Sequence, residues 1–131
     1  MNSSEPGDWG AGGAGGVLEL SPERFGVVFQ LAKELPNMPD SALASEEWTR
    51  ADANAFLDTL RSRRGDPLSM TSAIEFAASP EELVKWHRML ETVCTALGPE
   101  ELFLRSGYRA GEIRETLDAW RQSVRARPRS V

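Results

Sequence analysis

The stretch that decides the fold is SPEELVKWHRMLETVCTALG, residues 79–98. Ser79 and Glu82 form the S-x-x-E pattern of a capping box at a helix N-terminus. Pro80 suits the first helical turn, and Gly98 suits the position that follows the last turn. Between them, apolar residues recur at helical spacing, namely Leu83, Trp86, Leu90, Val93 and Leu97. The stripe predicts an amphipathic helix with one face against a core.

Two further helices are predicted upstream, over residues 21–36 and 49–65. Ser21, followed by Pro22, is a favourable N-cap for the first, and Thr49 begins the T-x-x-D start of the second. The residues expected to face inward are Phe25, Val28, Phe29, Ala32 and Leu35 in the first helix, and Phe56, Leu57 and Leu60 in the second. Both segments therefore contribute an apolar face to the predicted core.

A helical hairpin is predicted near the C-terminus. A short helix over residues 99–105 leads through a turn at Ser106 and Gly107 into a final helix that begins near Arg109. Apolar residues of the final helix repeat at i, i+4, i+7 and i+11, namely Ile113, Leu117, Trp120 and Val124. We expect Leu102, Phe103 and Tyr108 to pack beneath this face.

Two short segments, residues 17–20 and 73–77, are candidate strands. In each, an apolar-Glu-apolar triplet is followed by Ser-Pro-Glu at a helix start. This order indicates either an internal duplication of a strand and a helix or two independent helix starts, because Ser-Pro-Glu is favoured at any helix N-terminus. A duplication would make the two segments neighbouring strands covered by helices.

The predicted fold class is mainly α, with one small domain of four or five helices and a minor two-stranded β element; α+β is the alternative. We expect a Gly-rich disordered leader at residues 1–16, the globular helical domain at 17–124 and a basic flexible tail at 125–131.

The leader contains G-x-G-x-x-G from Gly10 to Gly15. Because a candidate strand follows these glycines instead of preceding them, we do not expect a dinucleotide-binding loop.

Charge favours a protein partner over nucleic acid. The formal net charge is −5, and because the last eleven residues carry four arginines and no acid, the rest of the chain has a net charge of −9. An acidic body complements a basic partner and lacks the basic footprint of nucleic-acid binding.

No apolar run approaches the ~20 residues of a membrane helix, and no signal peptide is evident, so a cytoplasmic location without membrane association is expected. Thirteen arginines against two lysines, with fifteen alanines, suggest a GC-rich bacterial gene.

His87 and Cys94 are the one candidate pair for nucleophilic chemistry. They lie seven residues apart on one predicted helix, which separates them by about 10 Å along the axis, too far for a direct hydrogen bond. We therefore expect Cys94 to be a buried small thiol and His87 to lie at the boundary with solvent, near Glu91.

Acidic pairs recur at expected helix starts, where the helix dipole favours them: Glu46 and Glu47, Glu81 and Glu82, Glu100 and Glu101. The sequence contains no H-E-x-x-H, G-x-S-x-G or G-x-x-x-x-G-K-[ST] motif. One cysteine and one histidine leave a Cys- and His-based metal site without ligands. The sequence therefore predicts no catalytic residues, no cofactor and no metal.

Four residues are candidates for binding a partner. Arg114, Arg121 and Arg125 fall on one flank of the predicted final helix, at i, i+7 and i+11, as in the second helix of a helix-turn-helix. Asp118 would pair with Arg114 and Arg121 and weaken that positive field. Trp48 precedes the cap Thr49 and would either staple the helix start or anchor another protein.

The preferred hypothesis is a non-enzymatic, acidic protein-interaction module, such as a regulator, an adaptor or a toxin-neutralising partner. One alternative is a nucleic-acid-binding regulator that uses the final helical hairpin. Another is an enzyme whose site is assembled from residues scattered along the chain. The sequence leaves the oligomeric state open.

Overall fold

The computed structural model describes residues 16–39, 48–64 and 73–126. Its elements are β1 (Gly16–Leu20), α1 (Pro22–Ala32), a 3₁₀ turn (Leu35–Asn37), α2 (Arg50–Arg64), β2 (Ile74–Ala78), α3 (Pro80–Ser106), α4 (Ala110–Asp118), a second 3₁₀ turn (Arg121–Ser123) and β3 (Val124–Ala126). The predicted fold class is confirmed, because the described residues are mainly helical with a small antiparallel sheet. Most of the leader, up to residue 15, and residues 127–131 of the tail lie outside them.

Helix α3 begins as its capping box predicts. The backbone N–H of Glu82 donates to Ser79 Oγ at 3.1 Å, and the backbone N–H of Ser79 donates to Glu82 Oε1 at 3.1 Å. The predicted stop at Gly98 is a break inside a longer element, because Gly98 has a φ of 79° that other residues rarely adopt. Pro99 then starts a second half of α3, which ends where Gly107, at φ 83°, adopts the left-handed conformation.

The sheet has the order β2-β1-β3, with both neighbours antiparallel to β1. Leu18 lies opposite Phe76 in the register of β1 and β2. When the two strand-helix units are aligned on their caps, Ser21 and Ser79, Leu18 and Phe76 are also the equivalent residues. The two strands are therefore related by a local two-fold axis through this pair. This arrangement agrees with the expectation that the two strands are neighbours, and the duplication itself stays a prediction.

Helix α1 lies at the centre of the helical layer and contacts α2, α3 and α4 as well as β1. It is buried around most of its circumference, which explains why Val27 and Leu31 join the predicted apolar face. The predicted stripe of α3 is buried up to Val93, and Leu97 is partly buried against it. Helices and sheet thus share one core.

Two predictions for the C-terminal region are wrong. The final α-helix ends at Asp118, and the chain passes through a 3₁₀ turn into β3, where Val124 pairs with Leu18. Pairing with the edge of β1 requires extended backbone, so tertiary hydrogen bonds replace further helical ones. Phe103 is 43% exposed, which shows that it is not packed beneath α4 as predicted.

Candidate functional site

A cleft of about 520 Å³ lies between α1 and the first turns of α4. We call it the acidic cleft, and it is lined by Ser21, Glu23, Arg24, Val27, Tyr108, Glu112, Glu115 and Thr116. Its volume is within the range of sites that hold a small ligand or one or two side chains of a partner. The cleft brings together residues from opposite ends of the chain.

The N-termini of two helices border the acidic cleft. Glu23 is in the first turn of α1, after the Ser21 cap, whose Oγ accepts from the backbone N–H of Arg24 at 3.2 Å. Glu112 is in the first turn of α4, where its Oε1 accepts from the backbone N–H of Arg109 at 2.9 Å. The helix dipoles stabilise both carboxylates. Helix formation therefore explains why these two acids are tolerated near each other.

Glu115 has no such explanation, because it lies beyond the first turn of α4. Its side chain is 72% exposed, and its Oε2 is 3.7 Å from Nη2 of Arg24, the only cation among the described residues that line the cleft. An ion pair this exposed stabilises the protein little. Among the described residues, the cleft thus carries three carboxylates against one guanidinium, and this surplus of negative charge faces solvent.

Close packing of Tyr108 against α1 shapes the wall of the cleft. A Cβ added at Gly26 would lie 2.5 Å from Tyr108 Oη, so only glycine allows the phenol this position without displacement. Val27, which is 4% exposed, lies at the floor of the same cleft. An aromatic ring in a cleft that also contains carboxylates suits the long stem and charged head of a lysine or arginine.

Trp48 is not available as an exposed anchor. Its surface is 4% exposed, and it belongs to the same core as Ala53, the position that a hydrophobic staple would contact. Thr49 and Asp52 cap α2 reciprocally, with backbone-to-side-chain distances of 2.9 and 3.2 Å. Within the described part of the chain, Trp48 Nε1 is a buried donor with no hydrogen-bond partner.

The three candidate arginines do not share one helix flank. Arg114 is on α4, where its Nε donates to Asp118 Oδ1 at 3.0 Å, as the i,i+4 spacing predicts, and its Nη1 donates to Glu91 at 3.1 Å. Arg121 lies in the 3₁₀ turn, and Arg125 lies in β3 opposite Val17. The i+7 and i+11 arrangement is wrong because the helix has already ended. The geometry on which the helix-turn-helix alternative depends is therefore absent from these residues.

His87 and Cys94 do not form a catalytic pair. His87 Nε2 hydrogen-bonds the carbonyl oxygen of Leu117 at 3.0 Å, and burial lowers the pKa of this histidine. Burial, reinforced by Glu91, raises the pKa of the Cys94 thiol to about 11. A thiol with that pKa is almost entirely protonated near neutral pH and is a poor nucleophile. Both residues instead belong to the packing of α3.

Two of the three acidic pairs lie in the part of the chain that the structure describes, and both are close to the starts of helical segments. Glu81 and Glu82 are in the first turn of α3, and Glu101 accepts from Arg105 Nε at 2.7 Å within the second half. Glu46 and Glu47 are outside the described residues. The sequence did not single out Glu23, Glu112 and Glu115 as a group, because only the packing of α4 on α1 makes them neighbours.

Across the described residues, no group of three or more His, Cys, Asp or Glu could hold a metal ion. No helix in the same ranges is long and apolar enough to cross a membrane. No protein-family model matches the sequence, and neither curated proteins nor solved structures are significantly similar to it.

Proposed function

We propose that this protein is a non-enzymatic, acidic protein-interaction module that binds a basic partner through the acidic cleft. The observation that carries the proposal is the surplus of carboxylates in a cleft of about 520 Å³, where the described residues supply three carboxylates and one cation. A lysine or arginine of a partner would neutralise this surplus.

The lining of the cleft supports recognition of a cationic side chain. Tyr108 offers an aromatic surface for the methylene stem, and Glu23 and Glu115 offer carboxylates for the charged head. A guanidinium can bind two carboxylates at once because its donors form a planar fork. Arg24 competes for Glu115 only weakly, because their contact is long and exposed.

The charge of the whole chain acts in the same direction. A formal net charge of −5 attracts a basic partner over distances longer than those of direct contacts. Such attraction raises the association rate and is screened by salt. The cleft would then supply the short-range contacts that a diffuse charge lacks.

The test uses a short capped peptide that contains two arginines, and the same peptide with citrulline in place of arginine. Citrulline keeps the shape of the side chain and removes its charge. Titration into the ¹⁵N-labelled full chain should shift the amide resonances of Gly26, Tyr108 and Thr116 with the arginine peptide only. Equal shifts with both peptides, or shifts that are confined to other surfaces, would refute the proposal.

A matched pair of variants locates the binding. Glu23→Arg reverses a charge inside the cleft, and Glu81→Arg reverses the charge at the equivalent first-turn position of α3, which lies outside it. Both lose the same favourable contact with a helix dipole. We expect Glu23→Arg to weaken binding of the arginine peptide on the order of tenfold and Glu81→Arg to leave it nearly unchanged.

A further inference from the structure

A second surface with different chemistry lies between the second half of α3 and the start of α4. Phe103 and Leu104 are 43% and 76% exposed, and among residues 16–39, 48–64 and 73–126 they are the large hydrophobic side chains that are most open to solvent. They border a groove of about 410 Å³, which we call the α3–α4 groove, lined by Pro99, Glu100, Phe103, Leu104, Arg109 and Ala110.

The break at Gly98 explains why this surface exists. The second half of α3 has its own start at Pro99, and Leu102 is the residue of this half that enters the core. With Leu102 facing inward, its two successors project away from the core, because successive residues of a helix are separated by about 100°. Adjacent large apolar side chains of this kind typically mark a contact surface.

The charges of the groove are balanced. Glu100 follows Pro99 on the α3 side, and Arg109 precedes α4 on the other side, with its guanidinium carbon 5.3 Å from the centre of the Phe103 ring. Within the described residues, neither side chain forms an ion pair with another residue of the chain. The groove thus offers one unpaired charge of each sign beside an apolar centre.

A surface of this composition is complementary to itself. When a two-fold axis through the apolar centre relates two copies, the α3 wall of each copy faces the α4 wall of the other. Each charge then meets its opposite. A strongly basic or strongly acidic partner would instead match only one wall. We infer that the α3–α4 groove binds a second copy of this chain, with Leu104 against the partner subunit's Phe103 and Glu100 facing the partner subunit's Arg109.

The first test measures the mass of the full chain by sedimentation equilibrium over a range of concentrations. The wild type should approach the mass of two chains, and Leu104→Asp should have the mass of one. Because Leu104 is mostly exposed, the variant should unfold at nearly the same temperature as the wild type when both are diluted until they are monomers, which separates loss of the dimer from loss of the fold. A wild type that stays monomeric up to about 1 mM would overturn the inference and leave the groove to a different protein.

The second test uses charge reversal on each wall. Glu100→Arg and Arg109→Glu should each weaken self-association by roughly tenfold or more, since each places like charges opposite each other twice in the dimer. An equimolar mixture of the two variants should associate again, because the mixed dimer has opposite charges at both contacts. Glu81→Arg, outside the groove, is the control and should dimerise like the wild type. If the mixture stays monomeric, or if Glu81→Arg weakens the dimer as much, the two-fold pairing is wrong.

Discussion

Two buried tryptophans allow a controlled comparison of how hydrogen bonding of an indole N–H affects stability. Trp120 is 1% exposed, and its Nε1 donates to the carbonyl oxygen of Leu83 at 3.2 Å. Trp48 is buried as well, but its Nε1 has no partner in the described part of the chain. Replacing each by phenylalanine removes the same atoms from the core, with opposite consequences for hydrogen bonding.

The expected magnitudes follow from these contacts. Each substitution leaves a cavity that costs about 1 kcal/mol. Trp120→Phe also loses a hydrogen bond worth about 1 kcal/mol, so we expect a total loss of about 2 kcal/mol. Trp48→Phe removes an unsatisfied buried donor, which stabilises the protein by about 1–2 kcal/mol. This gain offsets the cost of the cavity, so the free energy of unfolding should be nearly unchanged. The two variants should therefore differ by roughly 2 kcal/mol or more.

Urea unfolding followed by far-UV circular dichroism measures this difference without relying on tryptophan fluorescence, which the substitutions themselves change. Unchanged m-values in both variants would show that the comparison is of stability alone. If Trp48→Phe is destabilised as much as Trp120→Phe, the assignment of hydrogen-bond partners to the two indoles is refuted.

Three further predictions concern α3 and the wall of the acidic cleft. Burial lowers the pKa of His87, so the unfolded chain binds a proton at this histidine more readily than the folded protein does. The free energy of unfolding should therefore fall as the pH drops from about 7.5 to 5. NMR titration of the single histidine should give a pKa below 6.5. A pKa at or above that value would contradict the burial. Because the pKa of Cys94 is raised to about 11, iodoacetamide should alkylate the folded protein far more slowly than the urea-unfolded protein at about pH 8, and equal rates would contradict this. Gly26→Ala should destabilise the wild type, because the added Cβ meets the Tyr108 phenol. In the Tyr108→Ala variant the same change should stabilise the protein by about 0.5–1 kcal/mol, the ordinary helix preference for alanine. If urea unfolding shows that Gly26→Ala changes the free energy of unfolding in the same direction in both backgrounds, the phenol does not oppose a Cβ.

Much of the fold is predictable from local signals. Ser79 and Glu82 bond each other at the start of α3, and Gly98 interrupts it, because caps and glycine act through the nearest few residues. The strand before Ser21 and its counterpart before Ser79 were also recognisable, since both precede the same cap pattern. These features need no knowledge of the rest of the chain.

The end of α4 and the candidate site could not be predicted in this way. Val124 continues the helical spacing of Ile113 and Leu117, yet hydrogen bonds to β1, distant in sequence, make it part of a strand. In the acidic cleft, Glu23 and Glu115 become neighbours only because α1 packs against α4. Periodicity identifies which face of a helix is apolar, but it does not identify which polar faces meet.

Affinity capture with three immobilised proteins tests the central claim most directly. Wild type, Glu23→Arg and Glu81→Arg are each exposed to a lysate of the cells that naturally express this protein, and the retained proteins are identified by mass spectrometry. We predict that a protein of positive net charge is retained by the wild type and by Glu81→Arg, and that Glu23→Arg loses it. Retention of the same proteins by all three columns would contradict a partner-binding role for the acidic cleft.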